Sequence, residues 1–256
     1  MIRKNTAKQK IKAGEAVIGF SMDFASSFIV ELLGKCGFDF VYFDCEHGPM
    51  SEEACEHMIR AAEFVGLTPM VRVPSYEPHV ILRFLDLGAM GIIIPHCNTK
   101  QAAQAAVKAV KYPPEGERGI GSRPVSLSGI SMADYVKEAN KETLIIVMIE
   151  DPVAIDNLSE ILKVDGLDVL FIGRGDLSLS MGVPGQMDDF KIKEAVNKMI
   201  TQVRASGKAV GVGAMDVRKP ESYKQLLNQG AQFFSLNLTS ILTMATRELL
   251  QKFKDK

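Results

Sequence analysis

The chain has 256 residues, 46% hydrophobic and 24% charged, with a formal net charge of -1 at pH 7. That composition supplies a sizeable core, and the near-neutral balance excludes recognition of nucleic acid or a membrane surface by bulk electrostatics. No apolar run reaches the roughly 20 residues of a membrane span, and the basic opening MIRKNTAKQKIKAGE lacks the apolar stretch of a secretory signal, so a cytoplasmic location is expected.

In chain order, a short β-rich run alternates with a helical pattern eight times. AVIGFSM (16–22) leads into SSFIVELLGKCG (26–37), which stops at Gly37. DFVYFDC (39–45) precedes SEEACEHMIRAAEFVG (51–66), where Ser51 suits an N-cap and acidic residues in the first turn suit the helix dipole. TPMVRVP (68–74) is followed by EPHVILRFLDLG (77–88), and GIIIPH (91–96) by the alanine-rich NTKQAAQAAVKAVKY (98–112). A long irregular stretch, 112–135, then separates the fourth helix from TLIIVMIE (143–150); a loop of that length points to function or contact. DPVAIDNLSEILKV (151–164), DVLFIG (168–173), DDFKIKEAVNKMITQVRASG (188–207), AVGVGAM (209–215), KPESYKQLLNQG (219–230), QFFSLNL (232–238) and ILTMATRELLQKF (241–253) complete the series.

Alternating strands and helices imply parallel pairing through right-handed crossovers. Several strands are apolar at nearly every position, as in a wall covered on both faces. An open doubly wound sheet would carry a Gly-rich phosphate loop after its first strand, and SMDFASS is not one. The expected architecture is therefore a single (β/α)8 barrel domain over 1–256, a normal size for such a unit.

Barrels of this kind build their sites at the C-terminal ends of the strands. Ionisable residues collect there: Asp44-Cys45-Glu46-His47 after strand 2, Arg72 within strand 3, Glu150-Asp151 after strand 5 and Arg174-Gly175-Asp176 after strand 6. Arg72 stands out because a charge buried in a strand needs a partner or a task. Glu150 and Asp176, from adjacent strands, would suit an oxygen-ligated Mg²⁺ or Mn²⁺. Helix capping is the competing reading; it suits Asp151 before Pro152 and Asp176, but poorly suits Glu150. His47 is either a general base tuned by a nearby carboxylate or a surface-loop histidine. His96, at the end of strand 4, is a second-rank candidate, while His57 and His79 fall in helix patterns. No lysine ends a strand, which argues against Schiff-base chemistry. Gly119-Ile120-Gly121 and Gly211-Val212-Gly213 are not Walker-type phosphate loops. Cys36, Cys45, Cys55 and Cys97 have neither C-x-x-C nor zinc-type spacing and read as reduced thiols.

Taken in order, GFDFVYFDCEHGPMS, VRVPSYEP, LDLGAMGIIIP, YPPEGERGIGS and VMIEDPVAIDNLSEILKVDGLDVLFIGRGDLSLSMGVPGQ resemble the HpcH/HpaI aldolases, metal-dependent 2-oxo acid aldolases of the pyruvate/phosphoenolpyruvate barrel superfamily. The resemblance covers nearly the whole chain. It implies that His47 is the general acid/base, with Asp44 in the same segment and Asp86 orienting the histidine. It implies that Arg72 binds the keto oxygen, that Glu150 and Asp176 are metal ligands, and that Gly175 and Asp176 meet the substrate carboxylate through their backbone N–H groups. The expected cofactor is a divalent metal, Mg²⁺ or Mn²⁺, with Co²⁺ or Zn²⁺ as alternatives. The expected reaction cleaves or forms 4-hydroxy-2-oxo acids, giving pyruvate and an aldehyde through a metal-stabilised enolate. The resemblance also implies a homo-oligomer, a hexamer built as a trimer of dimers, with helix 241–253 packed on a neighbour, and partners limited to a small 2-oxo acid and an aldehyde. Met148, Arg174-Gly175, Pro95-His96-Cys97 and Phe20 depart from common family residues along the pocket wall. The alternatives are a 2-keto-3-deoxy sugar acid aldolase or citrate-lyase-like lyase on the same scaffold, and a non-catalytic binding barrel.

Overall fold

The computed structural model describes residues 3–213 and 215–254. Its strands close a parallel barrel in sequence order, with the last pairing back onto the first. They are β1 (Val17–Met22), β2 (Phe40–Asp44), β3 (Thr68–Arg72), β4 (Gly91–Ile94), β5 (Leu144–Ile149), β6 (Val169–Ile172), β7 (Ala209–Val212) and β8 (Phe233–Asn237). The helices before the long middle segment are α1 (Thr6–Lys12), α2 (Ser27–Lys35), α3 (Glu52–Val65), α4 (Pro78–Leu87) and α5 (Lys100–Val110). Then come α6 (Ser122–Ser128), α7 (Met132–Glu142), α8 (Pro152–Asp156), α9 (Leu158–Ile161) and α10 (Arg174–Ser180), followed by α11 (Phe190–Ala205), α12 (Pro220–Gln229) and α13 (Leu238–Lys254). Among the described residues no helix is long and apolar enough to cross a membrane.

Strand alternation divides the core in two. Outward positions such as Val41, Phe43, Val71, Ile92, Ile145, Val147 and Leu170 meet the helices. Inward positions fill the barrel: Phe40, Tyr42, Met70, Ile93, Ile146, Met148, Phe171 and Phe233. Phe40 stacks on Phe233 with ring centroids 4.3 Å apart, and Phe171 meets Phe233 edge-on at 5.3 Å. A Cβ at Gly211 would lie 2.9 Å from both Phe171 and Phe233, so glycine there makes room for the aromatic plug. The lower interior is thus filled by apolar side chains, and the charged strand residues Asp44 and Arg72 sit at strand ends.

The barrel foot is closed by α1, which the sequence pattern did not identify as a helix. Asn5 caps it, accepting from the Lys8 N–H at 2.9 Å and donating through Nδ2 to the Met90 and Glu142 carbonyls. Ala7 and Ile11 then enter the barrel core.

The expected irregular stretch 112–135 is instead partly helical. It contains α6 and the start of α7. Pro124 falls in the first turn of α6, where its missing N–H costs little. Ser131 caps α7 by accepting from Asp134 N–H at 3.1 Å, and Tyr135 and Ala139 pack on Tyr112. Residues 174–180 also form a helix that sequence periodicity did not mark, and the expected helix 151–164 is divided at Asn157. The strand expected over 209–215 ends at Val212, and its residue 214 lies outside the described residues.

Candidate active site

The polar rim is a continuation of the inward pattern. On β2, Phe40 and Tyr42 point inward, so the next position two residues on is Asp44; on β3, Met70 is followed in the same way by Arg72. On β5 the inward series Leu144, Ile146, Met148 leads to Glu150, one residue past the strand. The β2–β3 register sets Asp44 beside Arg72.

That register produces a forked ion pair. Arg72 Nε donates to Asp44 Oδ1 at 2.9 Å and Nη2 to Oδ2 at 2.5 Å. Asp44 Oδ1 also accepts from the Glu46 and His47 N–H groups, at 3.1 and 3.2 Å, and so shapes the loop after β2. Burial works against charge on Asp44, but the Arg72 hydrogen bonds and the other donors outweigh it and hold the carboxyl below its ordinary value. Burial likewise opposes charge on Arg72; Asp44, Tyr42 and Glu46 more than offset it and raise the guanidinium. A permanent, oriented cation results, with Nη1 3.2 Å from Glu46 Oε2 and 4.0 Å from Met148 Sδ across the mouth.

His47 lies at the rim with its side chain 61% exposed and Nε2 3.7 Å from Glu46 Oε2. The surface-loop reading is right about its exposure, but this imidazole also shares a carboxylate with Arg72. Glu46, which the sequence pattern places on the rim without a role, is the connecting group. It is the next same-face position after Asp44, and that periodicity was the available signal.

Glu150 is 1% exposed. Its Oε1 accepts from His96 N–H at 2.8 Å, whereas Oε2 is buried without a hydrogen-bond partner. Burial raises this carboxyl; the His96 bond and charge act in the opposite sense, and Asp176 and Glu46 add repulsion. Gly173 makes the arrangement sterically feasible, since a Cβ there would fall 2.4 Å from Glu150 Oε2. Asp176 is half-buried in the first turn of α10, with Gly175 exposed beside it. An orphaned buried carboxylate oxygen, repelled by a second carboxylate, fits a hard divalent cation. Among the described residues no group of three or more His, Cys, Asp or Glu converges to hold a metal.

Two expected placements change. Asp86 does not reach His47 within this chain. It sits in the last turn of α4, at the strand-start end of the barrel, where its Oδ1 accepts from Arg118 Nη2 at 2.9 Å. There it lines a cavity of about 540 Å³ together with Arg3, Arg60, Arg118 and Arg123. Arg174 is directed to the end of β7, donating through Nε to the Gly213 carbonyl at 3.0 Å, with Nη2 3.6 Å from Met215 Sδ. Buried lysines do exist, but at the foot: Lys8 Nζ donates to Asp168 at 2.9 Å, and burial pushes Lys111 down to about 8. All four cysteines are free; Cys45 and Cys55 lie with sulfurs 3.4 Å apart beneath the Asp44 loop.

A model of the HpcH/HpaI aldolase/citrate lyase family matches residues 19–244. The hydroxypyruvate/pyruvate aldolase of Roseobacter denitrificans is 35% identical over 252 residues, covering 98% of this chain and 97% of that protein. The 4-hydroxy-2-oxo-heptane-1,7-dioate aldolase of Salmonella dublin is also 35% identical, with 98% of this chain and 95% of that protein covered. The crystal structure of an HpcH/HpaI aldolase from Desulfitobacterium hafniense superposes with a TM-score of 0.90 at 29% identity, covering 97% of this chain and 96% of that one.

Proposed function

The chain belongs to the HpcH/HpaI aldolase/citrate lyase family, and on that premise we propose that it is a metal-dependent aldolase, cleaving or forming 4-hydroxy-2-oxo acids with pyruvate and an aldehyde as the other side of the reaction. The observation that carries this reading is the pairing, on one barrel rim, of a fixed guanidinium with a buried carboxylate whose second oxygen is unpartnered.

Glu150 and Asp176 would hold the divalent cation, and a carboxylate donor set favours Mg²⁺ or Mn²⁺. When bound, the cation supplies Lewis acidity toward the 2-oxo group. The protein groups do the rest. Arg72, kept charged and aimed by Asp44, faces the oxo oxygen as negative charge grows on it; preorganised charge of this kind needs no reorientation during reaction. Gly175 and Asp176 offer backbone N–H groups to the substrate carboxylate. His47 takes the proton from the C4 hydroxyl. The C3–C4 bonding pair passes to C3 as the pyruvate enolate forms, C4 leaves as the aldehyde carbonyl, and C3 is then protonated. Glu46, between His47 and Arg72, ties the proton-handling group to the charge-binding group.

Self-association is part of the same reading. Leu242, Leu249, Leu250 and Phe253 of α13 are exposed, an apolar stripe that suits burial against a neighbouring copy. The deciding assay follows pyruvate release from a panel of 4-hydroxy-2-oxo acids, citrate and sugar-derived 2-keto-3-deoxy acids, with and without chelator. Turnover that persists after complete metal removal, or that is unaffected by Glu150→Ala, refutes the mechanism.

A further inference from the structure

His96 combines three features that the reaction above leaves unused. Among the described residues it is the non-glycine residue with a left-handed backbone, φ 51°, a conformation L side chains seldom adopt. It follows Pro95, which has no N–H, and its own N–H donates to Glu150 Oε1 at 2.8 Å while the next N–H, of Cys97, donates to the Met148 carbonyl at 3.2 Å. Its ring bridges two acids, with Nδ1 3.3 Å from Glu150 Oε1 and Nε2 3.3 Å from Glu46 Oε1.

Each feature explains another. β4 and β5 are parallel neighbours, with Ile94 paired to Val147. An extended residue at 96 would carry the chain onward along β5. The left-handed turn instead points successive N–H groups sideways onto the end of β5, one at a carboxylate and one at a carbonyl. Strained backbone of this kind persists where surrounding contacts over-determine it, and it concentrates at functional sites. Here the contact it serves is Glu150, whose other oxygen has no partner.

We infer that His96 is a positioning residue: its left-handed backbone and bridging ring engage Glu150 Oε1 and brace it against Glu46, so that Oε2 alone is presented to the cation. This rests on the reading of Glu150 as a cation ligand. It assigns to the β4–α5 loop the setting of a ligand that belongs to β5, and it links that ligand through Glu46 to Arg72 and His47.

The test uses the full chain stripped with chelator and titrated with Mn²⁺, the free ion being followed by electron paramagnetic resonance. His96→Asn retains a side chain that tolerates left-handed backbone and can hydrogen-bond; His96→Gly keeps the backbone and loses the ring; His96→Val opposes the backbone and loses the ring. Removing the support of a ligand should weaken Mn²⁺ binding about ten-fold or more in His96→Val. His96→Asn should stay close to wild type and His96→Gly should bind more tightly than His96→Val. Melting temperatures and the split between kcat and KM are read on the same preparations. A purely structural role would lower the melting temperature of His96→Val and leave Mn²⁺ affinity unchanged, which overturns the inference. Equal weakening in His96→Asn, His96→Gly and His96→Val overturns it too. Glu150→Ala separates the two levels: if it loses Mn²⁺ while all His96 variants bind normally, the inference alone falls; if it binds Mn²⁺ normally, the cation reading falls and takes the inference with it.

Discussion

Gly173→Ala tests the site through shape rather than through loss of a functional group. Gly173 has φ -83° and ψ 85°, accessible to alanine, so the backbone itself offers little objection. The objection is steric. The new methyl would sit 2.4 Å from Glu150 Oε2 and 3.0 Å from both Glu150 Cβ and Met148 Cε. Reaching ordinary van der Waals separation requires an opening of about 1 Å. Glu150 has little freedom to give it, being buried and tied by Oε1 to His96 N–H.

Overpacking of this degree costs about 1–3 kcal/mol of stability, and a displacement near 1 Å in a reacting constellation costs roughly 100-fold in rate. The expectation is a protein that folds, melts a few degrees lower, and loses about two orders of magnitude in kcat/KM for pyruvate release. Mn²⁺ affinity of the stripped protein should fall in parallel. The comparison for stability is Gly175→Ala, where an added Cβ meets nothing within 4 Å. If Gly173→Ala keeps wild-type kcat/KM and wild-type Mn²⁺ affinity, Glu150 Oε2 is not where the chemistry happens, and the assignment of the site is wrong.

The Gly175→Ala protein should be as stable as wild type or more stable by up to about 1 kcal/mol, because the helix loses a flexible residue; if Gly175 meets the substrate carboxylate, KM for the 2-oxo acid rises at little change in stability, and an unchanged KM counts against that contact. Asp44→Asn leaves Arg72 as an under-compensated buried charge and should cost about 3 kcal/mol in denaturant unfolding. The same pair sets an acid limit: the folded Asp44 value lies below the unfolded one, so its contribution is complete above about pH 4 and disappears as pH falls through the lower folded value. The stability gap between wild type and Asp44→Asn should therefore close in acid, and a gap that widens there refutes the pairing argument. Leu249→Glu on the exposed stripe of α13 should lower the mass measured by light scattering with little effect on the melting temperature, whereas an unchanged mass removes that helix from any interface.

Much of the fold was legible because barrel strands announce themselves by short apolar runs, and most of these came out within a residue or two of the observed bounds, 39–45 against Phe40–Asp44 and 168–173 against Val169–Ile172, the overrun at 209–215 against Ala209–Val212 being longer. The helices that escaped notice lack that kind of pattern. In α1 the core contacts are made by Ala7 and Ile11 amid lysines, and its reason for existing is tertiary: a cap by Asn5 and a lysine reaching Asp168. In α6 and α10, serines, an early proline and a glycine mask seven-residue helices whose stability comes from what they pack on.

Legibility of the site divides along the same line. Asp44, Arg72 and Glu150 could be read from period-two alternation alone, because a strand continues to aim every second residue inward until it ends. Their pairing could not, since it depends on the β2–β3 register, which no single strand encodes. Asp86 shows the opposite case: the resemblance implies a role beside His47, while the last turn of α4 places it at the far end of the barrel within this chain. Helix and strand run antiparallel in each βα unit, so a residue near a helix C-terminus belongs to the foot. His96 had no such rule. Nothing in Pro95-His96-Cys97 marks a left-handed turn, as a glycine or asparagine would have done, and its importance arises only when β4 and β5 lie side by side and a single backbone N–H finds Glu150. What sequence supplies here is the list of groups facing the mouth; what folding adds is which carboxylate oxygen is engaged and which is left free, and the chemistry depends on the second.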